Sequence, residues 1–538
     1  MTPDQKQTWD EDSEVSQKHE VMPVQEAHSA QVSRWRLLFG NSQSHASPHP
    51  DLVAWLIAAI AAAFYIAYSV AQWRSFFVPS WDLGIFTQLA QQYAHVQVPI
   101  VDIKGPGYNL LGDHFHPLLV LLGPFFRLFP SGLTLLILQG LLFAWSSVPV
   151  TRLGRIRLGK VWGTLLGVGY VASWGLLSAV AAQFHEIAFA VPLLAFGLVH
   201  WLEGRTKRAF VEISLLVFVK EDLGLTVAAF GFVLLWIEWG KVAARREDRP
   251  YPFPLRTWRS LRATWTDKAA TPGIALVVWG VFWFVASIAV ILPLLNPHGG
   301  WDYTDRLSDA ENATRGFLGF LTGLFGPGEK IVTLLLLVLA TGIIGLRSPL
   351  VWLMVPTLAW RFVGNVEFYW GWSWHYSAIL IPIAYAALLD GVDRTRSTSI
   401  STRLRPSWQR LIIPIAVLAT ALSSAGMFWN GPMGTYLRGT NGFDVVDQQA
   451  GQAALEAVGT GRAVVADLHM LAYVVPDNTA YWEGTVADAQ VDTVAVGPGH
   501  DAANDPAGPE SWAEQRFGGT WEVAFDEGGF LVLTRSDA

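Results

Sequence analysis

Apolar runs long enough to be helices dominate the chain from Leu52 to Trp429, and they are separated by short polar stretches rather than by the period-2 alternation of half-buried strands. The runs place membrane crossings near 52–71, 131–150, 161–180, 187–202, 209–219, 223–239, 273–295, 331–346, 350–363, 375–389 and 411–429. This pattern predicts an all-α polytopic membrane bundle of about 11 transmembrane helices. Several runs are shorter than the roughly 17 residues that cross about 30 Å of hydrocarbon, which implies broken, tilted or recessed helices around a polar cavity. Residues 1–50 carry alternating charges without apolar period and read as a disordered cytoplasmic arm.

The multi-span domain therefore occupies 51–430, with a large first external loop at 73–130. Inside that loop, "HPLLVLLGPFFRLF" (116–129) breaks the alternation of sides if it crosses, so it is expected to be re-entrant or interfacial. After Gly431 the pattern changes to short apolar strands, "AVVADL" and "DTVAVG", behind a helical stretch "VVDQQAGQAALEAV". A closing hairpin, "WEVAFDEGGFLVLTR", turns at Gly528-Gly529. Residues 431–538 thus read as a small α/β domain.

Composition agrees with a membrane protein: 52% of the 538 residues are hydrophobic, 13% aromatic and 15% charged. Charge placement then gives orientation. The stretch from Gly431 to Ala538 holds 16 acidic and four basic residues, while basic residues gather at 152–160, 203–208, 241–268, Arg347 and 393–410. With the amino terminus inside, all those basic loops are cytoplasmic and the acidic tail is external. Such acidity argues against nucleic acid as a partner. The absence of cysteine excludes disulfides, thiolate metal sites and cysteine nucleophiles.

Six polar motifs then fall on the external side: "WDLG" (81–84), "GDHFHP" (112–117), "QFHE" (183–186), "KED" (220–222), "NPHGGWDYTDR" (296–306) and "GNVEFYWGWSWHY" (364–376). Ionisable groups are expensive at membrane depth and are usually retained for substrate or ion chemistry, so their gathering on one face points to an external site. Each motif also has a plainer reading. Asp82 is placed as a general base, as an acid that helps bind a metal, or as the cap of the helix "LGIFTQLAQQYAHV". Asp113, His114 and His116 suit phosphate contact or a metal-ligand group, so a divalent metal stays open as a cofactor although none is certain. His185 and Glu186 extend that cluster, or end a helix structurally. Lys220 either binds a phosphate or simply pairs with Glu221 and Asp222. Arg361, Glu367, Trp372, Trp374, His375 and Tyr376 belong to an aromatic segment that suits sugar stacking, lipid contact or interfacial anchoring. No phosphate-cradling GxxxxGK, HExxH, GxSxG or dinucleotide fingerprint is present, and "NAT" at 312–314 matches a glycosylation acceptor too short to be informative.

"WDLGIFTQ", "LGDHFHPLLVLLGPFFRLFPSGLTLLILQ", "FHE", "KEDLGL" and "HYSAIL" together resemble a bacterial family of polytopic membrane proteins filed as domain of unknown function twenty seventy-nine, over roughly Leu52 to Val496. That resemblance implies a multi-pass protein of the bacterial cytoplasmic membrane, without an assigned activity. More distantly, the layout is similar to the C-type membrane glycosyltransferases, which carry an acid near the end of the first span and often an external carboxy-terminal domain. What this implies is inverting transfer of a sugar from a polyprenyl-phosphate carrier to an envelope acceptor on the outer face, within membrane lipids. Only Asp82 matches the superfamily's acid; where a second adjacent acid is common, this chain has Trp81 and Leu83 on either side. On that reading Asp82 is the base, some of Lys220, Arg361, His114 and His375 neutralise the phosphate, and 368–376 holds sugar or lipid. The alternative is a transporter or flippase of a lipid-linked or envelope precursor, and a third class is a sensor or scaffold working through its tail. The absence of an internal repeat and the placement of the polar motifs at helix ends favour the transferase.

Side-specific reporters fused after Gly159 and after Gly431 test the orientation. The first is expected to report the cytoplasm and the second the outside; the same side for both overturns the one-face arrangement.

Overall fold

The computed structural model describes residues 51–246, 264–303, 323, 326–397, 406–439 and 446–537. The expected arm at 1–50, the "NAT" triplet and parts of the basic loops at 241–268 and 393–410 lie outside the described residues.

Six helical stretches among the described residues are long and apolar enough to cross a membrane: Leu52–Arg74, Gly132–Leu158, Lys160–Ala181, Leu223–Val242, Lys268–Leu295 and Leu411–Asn430. A seventh is added if Glu367–Ser377 and Leu380–Arg396, bent by 70°, form one broken span. The mostly helical bundle with several apolar spans is as expected, and by length and apolarity alone the described residues supply six or seven of the expected 11 crossings. Expected crossings near 187–202, 209–219, 331–346 and 350–363 fold as shorter pieces: Ile187–Leu202, Thr206–Ser214 followed by a tight turn, Gly328–Ala340, and Pro349–Val363. They are short for a local reason, because the chain leaves helical geometry where polar residues must face inward. Gln183, at φ 72°, ends the preceding helix, and His185 and Glu186 follow directly before Ile187. The segment 116–129 forms a tight turn, Pro117–Leu121, and a short helix, Leu122–Leu128, rather than a crossing helix.

The helices Leu223–Arg246 and Thr271–Ala286 form an antiparallel pair held at backbone distance by four glycines. A Cβ on Gly280 would stand 2.3 Å from the Gly224 carbonyl oxygen, and one on Gly231 would stand 2.6 Å from that of Gly273. Without a hydrophobic drive between helices in lipid, such small-residue contact lets dispersion and packing hold them. This pair carries Leu225 and Phe284 into the cavity described below. The span Lys268–Leu295 is only 17% buried, so most of its apolar surface faces outward.

The tail builds a five-stranded sheet in the order β2-β1-β3-β5-β4, from β1 (Ala463–Ala466), β2 (Thr479–Trp482), β3 (Thr493–Val496), β4 (Trp521–Glu527) and β5 (Phe530–Arg535). β1 runs parallel to β2 and β3, while β5 is antiparallel to β3 and β4. The hairpin turns at Gly528 and Gly529, both at positive φ, which is the geometry that matches strand twist in a two-residue loop. β2 and the helix Leu468–Val474 were not anticipated, since each is too short to show a period.

This sheet domain docks on the segment 73–103. Tyr473 stacks between Trp73 and Phe76, with centroids 3.9 and 4.4 Å away, and its hydroxyl donates to the Trp73 carbonyl. Gln88 donates to the Ala480 carbonyl at 3.0 Å, and Gln91 to that of Val475 at 2.7 Å. The helix Asp82–Ala94 is thereby clamped along its tail-facing side.

A leucine at Gly280 is expected to destabilise the helix pair by about 1–3 kcal/mol, the usual cost of overpacking a filled interface. A lower melting midpoint of the purified protein checks it; an unchanged midpoint shows that the pair can spread.

Candidate functional site

All six polar motifs contribute to one cavity of about 340 Å³. Its walls take Trp81 and Asp82 from the first motif, Asp113, His114 and His116 from the second, and His185 and Glu186 from the third. Lys220, Glu221 and Asp222 come from the fourth, Trp301 and Tyr303 from the fifth, and Phe368, Tyr369, His375 and Tyr376 from the sixth. These motifs lie up to almost 300 residues apart in the sequence. Interruptions between helices bring them together.

Asp82 is the first residue of the helix Asp82–Ala94, and no side chain caps that helix. The capping role left open from the sequence is therefore not the one its carboxylate takes. Instead it accepts from the Ser80 hydroxyl at 2.7 Å, and His185 Nε2 stands 3.6 Å away, an ion-pair distance rather than a hydrogen bond. His185 Nδ1 lies 3.2 Å from the Gln183 carbonyl, a contact only a donor satisfies, so Nε2 is bare in the neutral ring and protonated in the cationic one. The rings of His185 and His375 stack at 3.5 Å. Burial alone would raise the Asp82 carboxyl, but His185, the Ser80 hydroxyl and His375 outweigh it and hold the group below the usual carboxylate range. With a third of its side chain exposed, Asp82 is ionised and reachable.

Two buried charge pairs tie the remaining motifs together. Lys220 Nζ meets Glu186 Oε1 at 2.7 Å, with their side chains 14% and 3% exposed. Glu221 holds His114 Nδ1 at 2.7 Å through one oxygen and accepts from the Phe115 amide through the other. Burial and Lys220 press the His114 imidazole towards its neutral form, yet Glu221 and Asp113 overcome them and raise its pKa. Asp113 in turn meets Lys104 Nζ and the Tyr303 hydroxyl, each at 3.2 Å, and Tyr303 stacks on His114. Asp222 accepts from the Trp360 indole at 3.0 Å with Oδ2, while its Oδ1 is buried without a partner. Burial, resisted by Lys220 and reinforced by Glu221, pushes this carboxyl up to about 6. Burial likewise takes the His116 imidazole down to about 4.

Four residues singled out from the sequence do not line the cavity. Arg361 is fully buried and donates to the carbonyls of Tyr369 and Gly371 and to the Ser377 hydroxyl, so it shapes the aromatic loop from behind. Glu367 is exposed at the start of a one-turn helix. Trp372 packs against the main core, and Trp374 leans on Phe368. Conversely, Lys104 and Trp360 reach the cavity unannounced: a lone lysine before a Pro-Gly turn and a tryptophan inside an apolar helix carry no distinguishing pattern. No group of three or more histidines and carboxylates arranged to hold a metal occurs among the described residues.

Glu186→Gln leaves the Lys220 ammonium buried and unpaired, and it is expected to cost about 3–5 kcal/mol. A fall in melting midpoint checks this, and combining it with Lys220→Met should restore much of the loss. A double variant no more stable than Glu186→Gln sinks the pairing account.

Among solved structures, the chain is similar to ArnT from Cupriavidus metallidurans bound to undecaprenyl phosphate, at 11% identity and a TM-score of 0.45, covering 89% of this chain and 97% of that one. It is also similar to the Archaeoglobus fulgidus oligosaccharyltransferase tethered with an acceptor peptide, at 10% identity and a TM-score of 0.38, covering 87% and 68%. A complex of the same enzyme with zinc and sulfate gives 12% identity and a TM-score of 0.36, covering 89% and 73%. No curated protein matches in sequence. The family comparison is direct, with residues 72–530 matching the predicted membrane proteins of DUF2079, and the chain belongs to that family.

Proposed function

We propose that the protein is an inverting membrane glycosyltransferase that moves a sugar from a polyprenyl-phosphate carrier to an envelope acceptor at the outer face of the bacterial cytoplasmic membrane. The observation that carries this reading is the cavity itself: an ionised, accessible Asp82 shares one space with lysines, histidines and aromatic rings, behind a span whose other face is apolar and exposed.

That span is Lys268–Leu295. It turns Phe284 and Ile288 towards the cavity while Phe282, Val285 and Val290 are exposed on its outer surface. A wide turn at Ser287–Ile291 sits where the helix passes the cavity, a deformation frequent at functional sites. A lipid-linked substrate would enter laterally along it, leaving its isoprenoid tail in the hydrocarbon.

In the reaction, the acceptor hydroxyl donates its hydrogen bond to Asp82. As the acceptor oxygen bonds to the anomeric carbon, the bond from that carbon to the phosphate oxygen breaks and its electron pair leaves with the polyprenyl phosphate. The hydroxyl becomes strongly acidic as the new bond forms, so its proton passes to Asp82 late in the step even though this carboxylate is a weak base. Lys220 and Lys104, each paired with a carboxylate, supply the positive charge nearest the departing phosphate.

Asp82→Asn is expected to lower transfer by roughly 10²–10⁴-fold, the range for removing a positioned base, without loss of inserted protein. Mass spectrometry of envelope glycans and lipid-linked sugars should show the glycan depleted and the precursor accumulating. Unchanged glycans with normal protein levels overturn the role of Asp82, and precursor accumulating on the inner leaflet alone favours a flippase.

A further inference from the structure

The cavity holds more negative charge than its lysines balance. Among the described residues, Asp82, Asp113, Glu186, Glu221 and Asp222 line it against Lys104 and Lys220, leaving three negative charges in excess with the histidines neutral and two with His114 protonated. Both lysines are already engaged, by Asp113 and Glu186. His114 is held by Glu221. Asp222 alone among these carboxylates has a buried oxygen with no partner. Two more acceptor-capable atoms are orphaned in the same walls, Nδ1 of His116 and Nδ1 of His375, on side chains that are 1% and 6% exposed.

A buried acceptor left empty is costly, and such an atom in a binding cavity marks a place where a ligand donor fits. An ammonium group carries three donors and one positive charge, which answers both the orphaned acceptors and the charge excess. Aromatic faces add to the fit, since Trp360, whose indole fixes Asp222, meets Tyr369 and Tyr376 edge-on and these rings favour a nearby cation. A second phosphate, by contrast, would meet repulsion from the excess of carboxylates and no donor on Asp222.

We propose that this cavity recognises a substrate bearing an ammonium group, an amino sugar, with Asp222 as its anionic contact. The proposal rests on the transferase reading for the sugar, but the charge argument is independent of it. Phosphate and ammonium then enter together as a zwitterion whose anionic part faces the lysines and whose cationic part faces Asp222. Asp222 faces Lys220, Glu221, His114 and Glu186, and protonating it removes the attraction, so binding of a protonated amine weakens as pH falls through about 6.

The test uses the full chain in nanodiscs, with glucosamine, N-acetylglucosamine and ethanolamine titrated against tryptophan fluorescence; Trp81, Trp301 and Trp360 line the cavity. Glucosamine is expected to bind about tenfold or more tightly than N-acetylglucosamine, to weaken between pH 7 and 5, and to lose its advantage in Asp222→Asn. Equal binding of the two sugars, or an undiminished advantage in a stably folded Asp222→Asn, overturns the proposal. The pH series on the unaltered protein reads the same contrast should that variant fail to fold, and a pH-independent preference overturns it too. Ethanolamine binding as tightly as glucosamine overturns the sugar and leaves a headgroup amine. Undecaprenyl phosphate retention, followed by native mass spectrometry, separates the two readings: retention without amine preference sinks this inference alone, and amine preference without retention sinks the transferase alone.

Discussion

The ion pair between Lys220 and Glu186 is the constraint around which the rest of the site is arranged. Two charges taken out of water repay their desolvation only if they meet closely and their remaining bonds are filled, so the residues around them have little freedom. Glu186 must sit just ahead of the helix Ile187–Leu202, and Lys220 just ahead of Leu223–Arg246. That requirement shortens the helices. It also fixes Glu221 next to Lys220, where it takes His114 and the Phe115 amide and so draws the second motif into the same wall. A single buried pair thus sets where three separate segments stop being helix.

The tail domain supplies a second constraint from the opposite side. Tyr473, Gln88 and Gln91 hold the helix Asp82–Ala94 against the sheet, and Thr485 donates to the Ile103 carbonyl at 2.6 Å. Trp482, at the end of β2, lies 4.4 Å from Trp81 in the cavity wall. Asp82 is consequently held by groups from both parts of the chain. A displacement of the sheet would move the carboxylate relative to His185, so any ligand that shifts the tail would be felt at the proposed base.

Much of this was legible because the membrane makes polar residues conspicuous. Against an apolar background, Asp82, "GDHFHP", "QFHE" and "KED" stood out as unaffordable unless used, and the cavity gathers all of them. The hairpin at Gly528-Gly529 was equally plain, since two glycines between alternating strands leave few other geometries. What stayed hidden depended on direction rather than identity. Arg361 has the chemistry of a phosphate ligand, yet three backbone and hydroxyl acceptors behind the loop capture its guanidinium. The lengths of the shorter helices were not legible because apolar length measures burial as well as lipid contact, and helices such as Ile187–Leu202 are almost wholly buried among their neighbours. Lys104 gave no signal at all, since its importance arises from Asp113 and Trp81 lying near it in space.

The low basicity of Asp82 has a consequence for how the site can respond to pH. It begins a helix, where the backbone dipole favours negative charge, and Ser80 and His185 add to that preference. A carboxylate so stabilised stays ionised through the physiological range, and its own titration then leaves no mark on activity there. Among the other groups in this cavity, burial pushes the Asp222 carboxyl up to about 6, and Glu221 and Asp113 raise the His114 imidazole. Neither is placed to take the acceptor proton. On the proposed reading, each is placed to set the charge that a substrate meets on entry.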